Sequence, residues 1–271
     1  MSSGVSFDLG PALLFCPADR PDRFAKALDR ADGVILDLED AVAPANKPAA
    51  RAALAEHPLD PARVVVRVNP PSTPDFAADL AALAATPYRR IMVAKADAAL
   101  PAVPGFEVIA LCETAAGVLD ARDLAARPEV IALMWGAEDL VASLGGTSSR
   151  VRAGGYRDVA RHARTSVLLA AGAAGVAAID AVHLAIDDLD GLREEAEDAV
   201  ASGFAATACI HPSHVAVIRD AYRPTPDEVA AARRLLSAAT TGGAVFQHEG
   251  RMVDGPVLRH AESVLRRAAP R

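Results

Sequence analysis

The chain has 271 residues, 52% of them hydrophobic but only 4% aromatic, and a formal charge of −7. That length suits one large α/β domain or two small ones, and an apolar fraction made of Ala, Val, Leu and Ile suits helices packed on a parallel sheet. The acidic balance argues against binding nucleic acid or acidic membranes.

Cys16, Cys112 and Cys209 each lie inside an apolar run with no Cys-x-x-Cys spacing. They read as small buried hydrophobes rather than a disulfide framework, which favours a reducing, cytoplasmic setting. No stretch is long and uncharged enough for a membrane span, and MSSGVSFDLG at the start lacks the layout of a signal peptide.

Along the chain, apolar runs near residues 13–17, 34–38, 64–68, 91–95, 108–112, 130–135, 179–184 and 207–211 predict eight strands. Helical patterns rich in Ala, Leu and charge separate most of them, at 22–31, 47–56, 75–85, 115–127, 156–174 and 190–202. Strand alternating with helix implies a parallel sheet. Eight such units predict a (β/α)8 TIM-type barrel over residues 11–222, with chemistry at the strand C-terminal ends. A doubly wound open sheet is the alternative.

The Gly/Ser-rich stretch 144–156 reads as a loop near the pocket mouth. In the remainder, 223–271, Thr225, Pro226 and Glu228 open a capped helix, and a turn-rich link leads to a final amphipathic helix. This extension is too short for an independent domain and is expected to dock on the barrel or on a neighbouring subunit.

Three apolar runs carry acid at their far ends: GVILDLED (33–40), VIALCET (108–114) and VIALMWGAED (130–139). A buried carboxylate without a partner is costly, so such ends belong in a shared polar pocket. Glu113 and Asp139 are the leading metal-ligand candidates, since Mg²⁺ takes oxygen ligands and often only one or two carboxylates. Taken singly, either could instead cap the helix that follows it.

Period-two alternation sends Asp37 and Glu39 to one face, where they could hold metal-bound waters or form a buried ion pair with Arg67. Arg67 in VVVRVN needs an anion: a substrate carboxylate, an enolate oxygen or Glu39. Asn69 is expected on the same face. Lys95 could be a Schiff-base lysine or an ion-pair partner for the carboxylates. Arg23, Lys26 and Arg30 form a basic helix strip that could hold phosphates or simply face solvent. His183 and His211 read as core or supporting histidines. Dinucleotide, Walker A and nucleophile-elbow motifs are absent from the sequence.

Together LFCPADRPDRFAKAL, GVILDLEDAVAPANK, VVVRVN, CETAAG, WGAEDL, CIHPS and MVDGPVLRHA resemble the citrate lyase β-subunit family of the HpcH/HpaI aldolase superfamily. The resemblance implies a (β/α)8 barrel, a divalent metal (Mg²⁺, with Mn²⁺ the alternative) on Glu113 and Asp139, and CoA as part of the substrate. It places Arg20, Arg23 and Lys26 at CoA phosphates, and Arg67 and Asp254 in catalysis; Glu39 is expected as a further catalytic residue, and Gly136 and Ala137, with Arg67, as substrate-binding residues. Asp254 matches an aspartate that reaches a neighbour's site; from its residues alone it reads as an Asx turn before Gly255-Pro256.

The implied activity is a Mg²⁺-dependent carbon–carbon lyase or synthase acting on a β-hydroxyacyl-CoA. The alternatives are a citrate lyase β subunit acting on a citryl thioester and a metal-dependent aldolase for free 2-oxo acids. A homo-oligomer, with a trimer favoured, follows if Asp254 works in trans.

Overall fold

In the computed structural model, which describes residues 7–152, 154–242 and 245–269, eight parallel strands close into a barrel in sequence order. They are β1 (Ala12–Pro17), β2 (Gly33–Asp37), β3 (Val64–Val68), β4 (Arg90–Val93), β5 (Glu107–Cys112), β6 (Val130–Trp135), β7 (Ala177–Asp180) and β8 (Ala206–Cys209). The ring closes where Ala12 of β1 pairs with Thr207 of β8.

The strands read as unbroken apolar runs because both faces are buried, one inside the barrel and one under the helices. Leu13, Ile35, Val65, Met92, Ile109 and Met134 belong to one buried cluster that fills the barrel. Each such side chain contributes roughly 1.5–3 kcal/mol when taken from water. The alternate residues Leu14, Leu36, Val66 and Ile91 are equally buried.

Following the inward face two residues further along each strand reaches Phe15 beyond Leu13, Asp37 beyond Ile35, Arg67 beyond Val65, Glu113 beyond Leu111 and Gly136 beyond Met134. One alternation therefore makes both the apolar plug and the polar layer at its C-terminal end.

Three elements depart from the sequence reading. β7 stops at Asp180, because its pairing to β8 consists of Ile179–Ala206 and Asp180–Thr207, and the chain then leaves the sheet. β4 stops at Val93, two residues before Lys95 turns the backbone into the left-handed region at φ 51°. The helix expected over 115–127 is two, Ala115–Leu119 and Ala121–Ala125, broken at Asp120, whose carboxylate accepts the Ala98 N–H at 2.9 Å.

The described residues divide into two compact units, one ending at Ile218 and one beginning at Arg219. The second contains helices Pro226–Gly242 and Gly255–Ala268 and a hairpin of β9 (Phe246–His248) and β10 (Arg251–Val253). Its small core includes Ala232, Ala261 and Val264. The expected capping box is formed: Glu228 N–H donates to Thr225 Oγ1 at 3.2 Å, and Thr225 N–H donates to the Glu228 carboxylate at 2.7 Å. The hairpin replaces the turn-rich link; its Glu249 and Gly250 both have positive φ, the pairing that a tight two-residue turn demands.

Among the described residues no helix is long and apolar enough to cross a membrane. Residues 1–6, part of the stretch MSSGVSFDLG expected not to form a signal peptide, lie outside the described residues.

Candidate active site

The β2–β3 register sets Asp37 beside Arg67. Arg67 forks onto Asp37, with Nε 2.7 Å from Oδ1 and Nη2 2.6 Å from Oδ2, and its Nη1 lies 3.1 Å from Glu39 Oε2. Asp37 also accepts the N–H groups of Glu39 and Ala41, at 2.9 and 3.1 Å. The guanidinium carbon stands 4.9 Å from the centre of the Phe15 ring. Burial works against the Arg67 charge but is outweighed by Asp37, then by Glu39 and Glu113, so the pKa is raised. Arg67 is thus a fixed cation, and these contacts engage only three of a guanidinium's five N–H donors.

Cys112 pairs with Trp135 across β5 and β6, so Glu113 and Gly136, one residue further on, meet at the rim. A Cβ on Gly136 would lie 2.9 Å from Glu113 Cβ and 3.0 Å from Oε2; the missing side chain is the space that Glu113 occupies. Glu113 is buried, and its Oε1 accepts the Lys95 N–H at 3.0 Å. Burial, then the charge of Asp139, push the Glu113 pKa up to about 8 against the pull of Arg67 and Lys95.

Asp139 lies in the first turn of the helix Ala137–Ser143, half-buried. The Lys95 ammonium binds Glu39 and stands 3.4 Å from Asp40 Oδ2, 3.5 Å from Asp139 Oδ1 and 4.0 Å from Glu113 Oε1. Burial opposes its charge, yet the Glu39 bond and the charges of Glu113, Glu39 and Asp139 raise its pKa. That favours the ion-pair reading over a Schiff-base lysine, which must be neutral to attack.

Among the described residues no three His, Cys, Asp or Glu side chains come together as a metal-ligand group. The donor chemistry nevertheless fits a hard divalent cation. Two carboxylates share one cationic neighbour, one of them is buried with its charge disfavoured, and a glycine leaves it room. Mg²⁺ completes such a pair with water and substrate oxygens.

The remaining expected residues lie elsewhere. Arg20 is exposed and forks onto Asp22 at 3.0 Å, while Arg23 and Lys26 are exposed along the same helical stretch. Ala137 is buried, so a contact with substrate there would be through its backbone. Asp254 belongs to the second unit, where its side chain accepts the Val257 N–H at 3.5 Å and caps the last helix. Asn69 does not join Arg67; its side chain bonds Leu38 O, Asp79 and Lys47.

The sequence reading missed Asp180. It is a fourth acidic strand end, accepting Trp135 Nε1 at 2.5 Å and a fork from Arg164. The signal was an apolar run ending in acid, hidden by extending β7 beyond it. The 144–156 loop, of which residue 153 lies outside the described residues, is tied down by the Arg150–Glu195 ion pair and by Arg150 over Tyr156, 4.1 Å from the ring centre. Glu195 also holds His183 Nδ1 at 2.9 Å, the supporting role expected of that histidine.

A closed parallel barrel whose rim gathers carboxylates around two fixed cations is the framework of a metal-assisted barrel enzyme. Residues 12–104 and 102–212 match the HpcH/HpaI aldolase/citrate lyase family model, and the chain belongs to this family.

It is 57% identical over 261 residues to a citrate lyase subunit beta-like protein of Mycobacterium tuberculosis, covering 96% of each chain. It is 28% identical over 295 residues to the mitochondrial citramalyl-CoA lyase of Rattus norvegicus, covering 94% of this chain and 84% of the relative. The crystal structure of CitE from Mycobacterium tuberculosis in complex with magnesium, acetoacetate and coenzyme A superposes with a TM-score of 0.90 at 57% identity, covering 96% of this chain and 98% of that one. The family and these relatives make the chain a carbon–carbon lyase.

Proposed function

We propose that the chain cleaves, or in reverse forms, the carbon–carbon bond of a β-hydroxyacyl-CoA of the malyl-, citramalyl- or 3-hydroxy-3-methylglutaryl-CoA type. The products of cleavage are acetyl-CoA and an oxo acid. The observation that carries this reading is one layer at the barrel mouth that holds both Glu113, roomed by Gly136, and the clamped guanidinium of Arg67.

Glu113 and Asp139 hold Mg²⁺, or Mn²⁺, which supplies Lewis acidity toward the hydroxyl and carboxylate oxygens of the acid portion. Arg67, kept charged and oriented by Asp37, offers its uncommitted N–H groups to the thioester oxygen as the enolate forms. Glu39 pairs with both Arg67 and Lys95 and offsets their charge between them. Gly136 and Ala137 present backbone to the acid portion. Arg20, Arg23 and Lys26 bind the phosphates of the CoA arm.

The substrate hydroxyl gives up its proton as the carbon–carbon bond breaks, and Asp254 of a neighbouring copy returns a proton to the enolate carbon, so none is consumed overall; in the reverse direction it removes one from acetyl-CoA. That role requires a homo-oligomer, and a trimer is the assembly the resemblance implies. Three buried thiols, those of Cys16, Cys112 and Cys209, accord with a cytoplasmic setting. Support for the CoA thioester comes from the coenzyme A held by the CitE structure and from the citramalyl-CoA lyase relative.

Mass-spectrometric detection of acetyl-CoA from the three thioesters, with Mg²⁺ and with EDTA, tests the proposal. Metal-dependent release from one of them is expected. Release from none, in protein shown to bind metal, would overturn it in favour of a citryl-thioester subunit or a CoA-independent aldolase.

A further inference from the structure

Among the described residues only Lys95 and Glu249 combine a side chain with a positive φ, and Glu249 sits in the tight turn of the hairpin. Lys95 has no such excuse. It follows β4 at the barrel mouth with φ 51°, a conformation that L side chains rarely adopt, and glycine would hold it without strain. An outlier of this kind at a rim points to use.

The use is visible at both ends of the residue. The left-handed turn aims the Lys95 N–H at Glu113 Oε1, 3.0 Å away. The ammonium meanwhile binds Glu39 and stands 3.5 Å from Asp139 Oδ1 and 4.0 Å from Glu113 Oε1. Among the described residues Arg67 pairs with Asp37 and Glu39, and the cation within 4 Å of Asp139 is Lys95. The charge of the two carboxylates assigned to the metal is therefore offset by a cation that belongs to the chain.

We propose that the Lys95 ammonium is a resident counter-ion of the metal site, competing with the divalent cation for the charge of Glu113 and Asp139. Lys95 acts through those carboxylates and is a positioning residue. The inference rests on Glu113 and Asp139 being the metal ligands. Its consequence is a metal affinity held below what the carboxylates alone would give, so that the cation exchanges readily in the free enzyme and is retained best when substrate oxygens join it. Metal and ammonium oppose one another reciprocally, as linkage requires.

The test is a Mn²⁺ titration followed by electron paramagnetic resonance, at fixed salt and pH, on the wild-type chain and the Lys95→Met, Lys95→Gly and Lys95→Arg variants. Lys95→Met removes the ammonium and keeps the bulk. Lys95→Gly removes the ammonium, keeps the N–H to Glu113 and suits the left-handed backbone, so it separates charge from strain. Both should bind Mn²⁺ about tenfold more tightly, whereas Lys95→Arg should stay near wild type.

A gain in affinity cannot come from a damaged site. Unchanged or weaker binding in both folded uncharged variants, beside a wild type that binds Mn²⁺, would overturn the inference and leave the metal assignment standing. A wild type that binds no Mn²⁺ would instead overturn the assignment itself.

Discussion

Gly136→Ala is the substitution whose cost can be worked out most directly from geometry. The backbone at Gly136 is extended (φ −131°, ψ 130°), so alanine meets no torsional obstacle there. What it meets is Glu113: the new Cβ would stand 2.9 Å from Glu113 Cβ and 3.0 Å from Oε2. Attractive carbon contacts begin near ~3.5 Å, so the pair is well inside the repulsive wall. Glu113 cannot yield freely, because it is buried and its other oxygen holds the Lys95 N–H at 3.0 Å.

Overpacking of this kind costs roughly 1–3 kcal/mol. A loss of about 2 kcal/mol lowers the melting temperature by roughly 4–8 °C in a chain of this size. Displacing a metal ligand by altering its support costs about 10–100-fold in metal affinity. Thermal unfolding by circular dichroism and a Mn²⁺ titration measure both effects.

Gly172→Ala is the matched control. Gly172 lies in the helix Asp158–Ala174 with nothing within 4 Å of its would-be Cβ, so alanine there should stabilise by about 0.5–1 kcal/mol. If Gly136→Ala kept the wild-type melting temperature and metal affinity, the reasoning that Gly136 makes room for Glu113 would be refuted.

Substitutions at four further places, Glu113, Arg67, Asp254 and the Arg23–Lys26 strip, carry expected outcomes. Glu113→Gln, which keeps shape and loses charge, should abolish metal-dependent turnover with an unchanged far-ultraviolet spectrum; wild-type turnover would remove the metal assignment. Arg67→Met leaves Asp37 buried without its fork and should cost about 3–5 kcal/mol in urea unfolding. Adding Asp37→Asn should restore part of that stability but no activity. Asp254→Asn retains an N-cap and should lower turnover with little change in melting temperature, whereas Asp254→Ala should also lose about 1 kcal/mol. Mixing Glu113→Gln with Asp254→Asn protein should recover activity if the site is shared, and no recovery would count against sharing. Finally, Arg23→Glu with Lys26→Glu should raise KM for the CoA thioester far more than it lowers kcat, an effect that shrinks with added salt.

The barrel was legible because its strands are buried on both faces and so stand out as apolar runs between Ala-rich helices. Where that contrast fades, the reading slips. After Asp180 the residues Val182, Leu184 and Ile186 continue the apolar look, yet β8 pairs only with Ile179 and Asp180, and the strand ends. Asp120, at φ −88° and ψ 0°, interrupts a helix-like stretch that composition alone leaves whole, and its carboxylate reaches outside that stretch to the Ala98 N–H. The β9–β10 hairpin escaped notice because three-residue strands are too short to show a period.

The candidate site divides along a sharper physical line. Which residues reach the rim follows from period two, a local property: once Ile35, Val65 and Leu111 face inward, Asp37, Arg67 and Glu113 must stand above them. Who binds whom follows from register, which sequence leaves open. A slip of one residue between β2 and β3 would set Arg67 against Leu36 or Leu38 in place of Asp37 and leave a buried carboxylate unpaired. The register is therefore held partly by the charges it brings together, and the Asp37–Arg67 fork acts as a structural lock as well as an electrostatic device. Lys95 marks the limit of sequence reading. VAKAD shows a lysine at a strand end, but a left-handed non-glycine residue has no compositional signature, so its grip on Glu113 emerges only when the barrel is closed.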